Sequence, residues 1–298
     1  MNTEEPHIDV DIARSLVRSQ FPRWADLSVA PVQSEGWCNQ TFHLGDRMVI
    51  RLPRHVAYTE QVRKEADWLP RLAPLLPFSV PEPLAVGAPS EHYPWHWSVY
   101  NWIEGETARP ERIACMSAFA ADLAEFLSAL QAISPLEGPG PGQHNFYRGG
   151  ALTAYDTQTR EAISALGARV DAAAALTVWE RATASSWLEP PVWIHGDVSV
   201  GNLLVSGGRL NAVIDFGNLA VGDPACDLAM YWTVFDEAAK RSFRNGLLLG
   251  RETWARGRGW VLWKALILAA GFTSSNAYEA SQPWGIIEEV LSDHRADA

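Results

Sequence analysis

Hydrophobic residues recur at helical spacing in the opening segment of the chain and in several later ones. Residues 8–21 place Ile8, Ile12 and Leu16 four residues apart, and Pro22 follows the segment. Apolar side chains at this spacing lie on one face of a helix, so we expect an amphipathic helix here that ends near the proline. The same periodicity predicts helices over residues 59–72, 117–133, 151–176, 177–187, 237–249, 253–271 and 286–295.

Short apolar runs bounded by turn residues predict β-strands. Most of these runs lie in the first third of the chain, and helical segments dominate after Gly105. The runs predicted as strands are residues 27–33, 41–44, 47–52 and 84–87, a run from residue 97 that ends at residues 103–105, and later 192–194, 203–205 and 212–214.

The composition indicates a soluble globular protein. The 298 residues are 47% hydrophobic and 20% charged, and this length suffices for one large domain or two ordinary ones. The net charge of −11 argues against nucleic acid as the main partner. It makes a cationic small-molecule partner plausible, although an acidic balance also serves solubility alone.

The cysteine pattern predicts a cytoplasmic protein. Cys38, Cys115 and Cys226 are scattered and form no paired metal-binding motif, so we expect reduced thiols. The N-terminus lacks a hydrophobic signal core. The most apolar later segment, residues 261–271, is interrupted by Lys264 and is too short to span a bilayer, so we expect no membrane association.

The segment from residue 193 to residue 232 carries the candidate chemistry. Two of the predicted strands are each followed by an aspartate in a polar turn, Asp197 and Asp215, and Asn202 lies between them. We expect these strands to bring the three side chains to one cleft. Two carboxylates and an amide suit a proton acceptor together with a hard divalent cation such as Mg²⁺.

This segment resembles the catalytic core of the protein-kinase-like superfamily, and more specifically the aminoglycoside phosphotransferase family, which includes macrolide phosphotransferases. The resemblance is carried by the elements His195-Gly196-Asp197, Asn202, Asp215-Phe216-Gly217 and Gly222-Asp223-Pro224. It implies a two-lobed α+β fold. A small N-terminal lobe with an antiparallel sheet and a helix would span residues 1–102, and a larger, mainly helical C-terminal lobe residues 103–298.

The resemblance also implies a role for each side chain of the catalytic segment. Asp197 would orient the acceptor hydroxyl and accept its proton, and Asn202 and Asp215 would bind Mg²⁺. His195 is expected to hold the turn by hydrogen bonds. Asp227 is expected either to anchor the catalytic loop or to cap a helix that starts at the following residue.

The phosphate-binding side of the expected cleft comes from the N-terminal lobe. The turn at residues 34–40 would contact the nucleotide phosphates, with Ser34 and Asn39 as side-chain donors. Arg51 stands where the resemblance predicts a lysine that binds the phosphates, and its planar fork is not equivalent to an ammonium group. An alternative is that Arg54 fills this role.

Two further nucleotide contacts are implied by position. Glu65 would pair with Arg51, and Glu60 is its competitor. The hinge, whose backbone binds the nucleobase, is expected at Tyr100, Asn101, Trp102 and Ile103.

The expected activity is transfer of the γ-phosphate of ATP or GTP to a hydroxyl of an aminoglycoside-like antibiotic. The alternatives are a macrolide phosphotransferase, another small-molecule kinase such as an amino alcohol kinase, and a nucleotide-binding pseudokinase, since Arg51 replaces lysine. A cationic acceptor needs carboxylates, and the C-terminal helices offer the candidates Asp236, Glu237, Glu279, Glu288, Glu289 and Asp293.

Overall fold

The structure is a computed structural model that describes residues 6–32, 38–135, 137–275 and 277–297. A smaller N-terminal lobe is built on an antiparallel sheet, and the remainder is mainly helical. This arrangement confirms the two-lobed α+β fold. The predicted boundary between residues 102 and 103 stays a prediction.

The N-terminal lobe is organised around five antiparallel strands in the order β1-β2-β3-β5-β4. The strands are β1 (Val29–Pro31), β2 (Asn39–Leu44), β3 (Met48–Pro53), β4 (Pro83–Gly87) and β5 (Trp97–Asn101). Two helices accompany them, α1 (Val10–Gln20) and α2 (Thr59–Leu72). The Asp9 carboxylate accepts hydrogen bonds from the first backbone N–H groups of α1, which explains where this helix begins.

The two faces of this sheet belong to different apolar cores. Ile50 and Leu52 of β3 pack in the small core that includes the buried face of α1. Val49 of β3, Tyr100 of β5 and Leu69 of α2 instead join the large core of the C-terminal lobe. The division between the cores therefore runs through the sheet and does not follow the division between the lobes.

The C-terminal lobe consists of helices with two small antiparallel sheets. Strand β6 (Glu106–Thr107) pairs with β8 (Leu203–Ser206), which pairs with β9 (Arg209–Val213), while β7 (Val192–Ile194) pairs with β10 (Ala220–Gly222). The helices are α3 (Met116–Ala132), α4 (Asp156–Leu166), α5 (Ala172–Thr183), α6 (Met230–Thr233), α7 (Glu237–Gly246), α8 (Arg251–Ala269), α9 (Ala277–Ala280) and α10 (Pro283–Asp297).

The prediction of one helix over residues 151–176 is wrong. Helix α4 ends at Leu166 because Gly167 adopts a positive φ of 53°, a conformation that favours glycine. The chain enters a second helix, α5, only after Asp171, whose carboxylate accepts the N–H of Ala174. The apolar periodicity continues within α4 and within α5. The turn that begins at Gly167 separates the two helices.

Helix α8 is the longest element and is buried along most of its length. It nevertheless carries Arg256 and Arg258 inside the lobe, each bonded to a carboxylate, Asp223 at 2.6 Å and Asp293 at 2.7 Å. Buried charges are tolerated when they are paired in this way. Among the described residues, no helix has the length and apolar character needed to cross a membrane.

Candidate active site

The catalytic loop follows β7 and is shaped by His195. The buried imidazole donates from Nε2 to the carbonyl of Ile214 at 3.0 Å, and its Nδ1 accepts the N–H of Asp197 at 3.2 Å. The Nε2 proton is therefore assigned by the carbonyl that it faces. His195 therefore links the turn at Asp197 to the residue that precedes Asp215, as expected of a histidine that holds the turn.

Asp227 anchors the same loop from below. Its carboxylate accepts the backbone N–H groups of His195 at 2.8 Å and Gly196 at 2.7 Å. Burial raises the pKa of this carboxyl, although the two backbone N–H donors oppose the rise. The anchoring role is confirmed. The alternative cap is wrong, because Asp227 lies inside a short 3₁₀ turn, Pro224–Leu228.

Gly196 allows the loop to approach the segment that follows Asp215. Its φ is 83°, and a Cβ on this residue would lie 2.5 Å from the backbone oxygen of Asn218. Any side chain would therefore be strained and would also clash. The glycine brings the two polar turns into direct contact.

Asp197 and Asn202 are hydrogen-bonded to each other. The Asn202 amide nitrogen donates to the carbonyl of Asp197 at 2.9 Å and to its carboxylate at 3.0 Å. The backbone carbonyl of Asn202 accepts the N–H of Ile214 at 2.8 Å, so this residue also lies beside the end of β9. These bonds place Asp197 and Asn202 together, beside the chain segment that leads directly into Asp215.

Asp215 meets the N-terminal lobe through Arg51. The residue has a φ of 64°, and its Oδ1 accepts a guanidinium N–H of Arg51 at 2.7 Å. Burial tends to raise the pKa of the Asp215 carboxyl, but the charge and hydrogen bond of Arg51 outweigh it and hold the pKa below its ordinary value. The carboxylate is therefore ionised and directed at the interlobe cleft.

Arg51 lies between two carboxylates. Its second guanidinium nitrogen is 3.3 Å from both oxygens of Glu65, and the Tyr100 hydroxyl donates to the same carboxylate at 2.5 Å. Glu60 is exposed, so Glu65 is the neighbour of Arg51. Arg54 donates to Gln40 at 2.6 Å on the exposed end of β3 and does not enter this group.

The expected hinge residues have different surroundings. The Tyr100 side chain is buried against Glu65, the side-chain oxygen of Asn101 accepts the N–H of Glu82, and Trp102 donates its N–H to the carbonyl of Arg47. Ile103 makes no backbone hydrogen bond with any described residue. The backbone N–H and carbonyl of Ile103 therefore have no partner among the described residues, and the contact of this segment with a nucleobase stays a prediction.

The structure describes only part of the turn at residues 34–40 that is predicted to contact the nucleotide phosphates. Ser34 lies outside the described residues. Asn39 opens β2 opposite Pro53, at the end of the turn that contains it. Cys38, beside it, lies close enough to Asp197 and Asp215 that burial, with their negative charges, raises the pKa of its thiol to about 12. This proximity places Cys38 beside the cleft.

The oxygen donors at the cleft fit a hard divalent cation. Asn202 uses its amide nitrogen on Asp197, and its amide oxygen accepts no hydrogen bond from a described residue. Asp215 uses Oδ1 on Arg51, and its side chain is 32% exposed. Carboxylate and amide oxygens facing a cleft match the preference of Mg²⁺.

Helix α2 carries polar site neighbours that the sequence reasoning missed. Gln61 and Lys64 are 5% and 8% exposed, and they face the C-terminal lobe together with Trp68. Their spacing of three and four residues is visible in the sequence and indicates a shared helix face. The apolar residues Leu69 and Leu72 lie beside this face and pack in the same large core, so apolar periodicity alone does not distinguish Gln61 and Lys64 as site neighbours.

Most of the predicted acceptor-binding acids are already bonded within the protein. Asp293 bonds Arg258 and Trp232, Glu237 and Glu289 both bond Lys240, and Asp236 caps α7. Glu288 is exposed, and the side chain of Glu279 is not among those described. Several of the candidate acids are thus bonded inside the protein, and their role in binding an acceptor stays a prediction.

Comparison with models of known protein families identifies one family. A family model described as the phosphotransferase enzyme family matches residues 30–260. No curated protein matches the chain.

Solved structures match over nearly the whole chain. The GDP and kanamycin complex of APH(2″)-IIIa has a TM-score of 0.73 at 20% identity, covering 96% of this chain and 99% of that one. The gentamicin complex of APH(2″)-IIa has a TM-score of 0.62 at 18% identity, covering 96% of each. The macrolide 2′-phosphotransferase MphH from Brachybacterium faecium has a TM-score of 0.59 at 20% identity, covering 94% and 97%. At these identities the likeness shows the fold.

Proposed function

This chain belongs to the phosphotransferase enzyme family, and we propose that it transfers the γ-phosphate of ATP or GTP to a hydroxyl of an aminoglycoside-like antibiotic. Family membership confirms the expected phosphotransferase with an alcohol group as acceptor. The observation that carries the proposal is the contact between Arg51 of the N-terminal lobe and Asp215, beside the bonded pair Asp197 and Asn202.

The nucleotide occupies the cleft between the lobes in this proposal. The peptide groups of Ile103 bind the base, and Arg51 binds the phosphates with the part of its fork that faces the cleft. Asn202 and Asp215 would hold Mg²⁺, which would neutralise charge on the phosphates. Glu65 keeps the guanidinium in place, since it contacts the side of Arg51 away from Asp215.

Asp197 acts on the acceptor. Its carboxylate orients the hydroxyl and takes its proton as the acceptor oxygen bonds to the γ-phosphorus and the bond to the bridging oxygen of the diphosphate breaks. The Asn202 amide holds that carboxylate by donating to it at 3.0 Å. The positioning is therefore set before any ligand arrives.

A macrolide-like acceptor is the second candidate, and the bonded acids favour it. An ammonium-rich acceptor needs free carboxylates, whereas Asp293, Glu237 and Glu289 are bonded to cations of the protein. Phe146 and Tyr147 are exposed by 36% and 42% on the loop that contacts the segment after Asp215. Exposed aromatic side chains suit an acceptor with an apolar face.

The proposal places the enzyme in the cytoplasm. Cys38, Cys115 and Cys226 are free thiols, as a reducing compartment requires.

A coupled nucleotide-turnover assay with kanamycin, erythromycin and choline as acceptors tests the proposal. We expect phosphoryl transfer to one of these acceptors in the presence of Mg²⁺ and a loss of at least about 10³-fold in Asp197→Ala. Nucleotide binding should persist in that variant. Binding without transfer to any acceptor would favour the pseudokinase, and full activity of Asp197→Ala would overturn the catalytic role of Asp197.

A further inference from the structure

Three side chains on one face of α2 make specific contacts with the C-terminal lobe, in addition to the apolar packing of Leu69 and Leu72. Trp68 packs against Trp193 of β7 with 4.9 Å between the ring centroids. Gln61 lies against Gly217, where an added Cβ would come within 2.6 Å of the Gln61 amide oxygen. Lys64 lies between them in the sequence and reaches His144. The helix belongs to the N-terminal sheet lobe in sequence, yet this face is fitted to the other lobe.

The contact between Lys64 and His144 is a directed hydrogen bond. His144 donates from Nε2 to the carbonyl of Gly140 at 2.9 Å, so its Nδ1 is left as the acceptor for the Lys64 ammonium at 3.0 Å. Lys64 is 8% exposed, and burial lowers the pKa of its ammonium to about 8 against the opposing charges of Glu65 and Glu60. A buried ammonium needs such a partner, because losing it leaves an uncompensated polar group.

The turn that carries His144 is itself tied to the catalytic segment. Asn145, fully buried, donates from its amide to the carbonyl of Asn218 at 3.3 Å and to the carbonyl of Arg148 at 2.9 Å. Asn218 follows Asp215 by three residues. A continuous set of bonds therefore runs from Lys64 through the His144 turn to the segment that carries Asp215.

We propose that the Lys64–His144 hydrogen bond is an interlobe latch that fixes α2 where Glu65 contacts Arg51 and Arg51 contacts Asp215. Glu65 is the residue next to Lys64, so a displacement of Lys64 displaces Glu65 and its 3.3 Å contact with Arg51. Lys64 and His144 are thus positioning residues that act through Glu65 and Arg51. The inference rests on the proposed function.

Helix α2 also offers a matched control. Arg63, the preceding residue, is bonded to His96 at 2.9 Å, and this bond lies on the exposed surface. His96 precedes β5, so this second pair of a basic residue and a histidine lies within the N-terminal lobe. Removing it perturbs the same helix without affecting the contact between the lobes.

The first test is kinetic. In Lys64→Met and His144→Leu we expect kcat for phosphoryl transfer to fall about tenfold and the nucleotide KM to rise about threefold, because a displaced Glu65 no longer holds Arg51 against the phosphates. His144→Gln keeps an acceptor and should recover to within about threefold of wild type. The double variant should be no worse than either single one, because both remove the same bond. Arg63→Gln should match wild type.

The second test does not depend on activity. Hydrogen exchange without nucleotide should be faster over residues 59–72 and 215–219 in Lys64→Met and His144→Leu than in wild type and Arg63→Gln. Unchanged exchange and unchanged kcat in both variants would overturn the latch. If the wild-type protein transfers no phosphate, the proposed function fails while the exchange measurement still decides whether the latch exists.

Discussion

The two ends of the cleft are held together in different ways. At the catalytic loop, the bonds of Asp197 and Asp227 join residues 5 and 32 positions apart in the chain. At the phosphate end, Arg51 bonds a residue 164 positions away, and α2 reaches His144 across 80 positions. The catalytic loop is therefore stabilised by residues that lie close to it in the sequence. The contacts at the phosphate end form only when the two lobes are correctly packed. Substitutions at the two ends should therefore have different effects on activity and stability.

Removing the carboxylate that both ends share should have the largest effect. Asp215→Ala deletes the partner of Arg51 and an expected metal ligand, and we expect kcat/KM to fall by about 10³-fold or more. Initial rates at several Mg²⁺ concentrations measure this. Asp46→Ala removes an exposed carboxylate from the same protein and should leave the rate unchanged. An Asp215→Ala variant within about tenfold of wild type would contradict the assignment.

The local end should be sensitive in stability. Asp227→Ala leaves the buried N–H groups of His195 and Gly196 without acceptors, and we expect a loss of about 3 kcal/mol in the free energy of unfolding. Urea titration followed by tryptophan fluorescence measures it. Asp227→Asn keeps one oxygen acceptor and should lose less. Equal stability of all three proteins would show that the loop does not depend on this anchor.

The interlobe end should respond to pH through Lys64. The folded-state pKa of Lys64 is lowered to about 8 from an ordinary 10.5, so the folded protein favours the neutral amine. Its contribution to stability is present above 10.5 and is lost as the pH falls through 8. Wild type should therefore lose as much as about 3 kcal/mol relative to Lys64→Met between pH 10.5 and pH 8. Parallel unfolding curves over this range, with a constant difference, would contradict it.

The smallest expected effect concerns the cation at the phosphate end. The Arg51→Lys substitution puts a single ammonium in place of a fork, so the new side chain cannot contact Asp215 and Glu65 with two separate nitrogens. We expect the nucleotide KM to rise about tenfold with little change in the free energy of unfolding. Arg54→Lys, at the exposed end of β3, serves as the control. A larger KM change in Arg54→Lys would identify that residue as the phosphate partner.

The difference between short-range contacts at the catalytic loop and long-range contacts at the phosphate end explains which features could be predicted from the sequence. Asp197, Asn202 and Asp215 can be found from spacing because they follow apolar strands within one short segment. The family resemblance, applied to a predicted helix, offers Glu65 and Glu60, and the contact with Arg51 distinguishes them. The Lys64–His144 bond could not be found this way, since nothing in the periodicity of either segment identifies the partner of the other. The helix break at Gly167 depends on a single backbone conformation that apolar spacing does not record.

The core that runs through the sheet has a consequence for building chimeras. Val49, Tyr100 and Leu69 pack with residues of the C-terminal lobe, so the N-terminal lobe lacks a complete apolar interior of its own. A graft of this lobe onto the catalytic half of a distant relative would expose one face of the sheet and most of the inner side of α2. The unit that can be exchanged between relatives is therefore larger than the N-terminal lobe. A chimera should fold only when α2 and the C-terminal-lobe residues that it packs against come from the same parent.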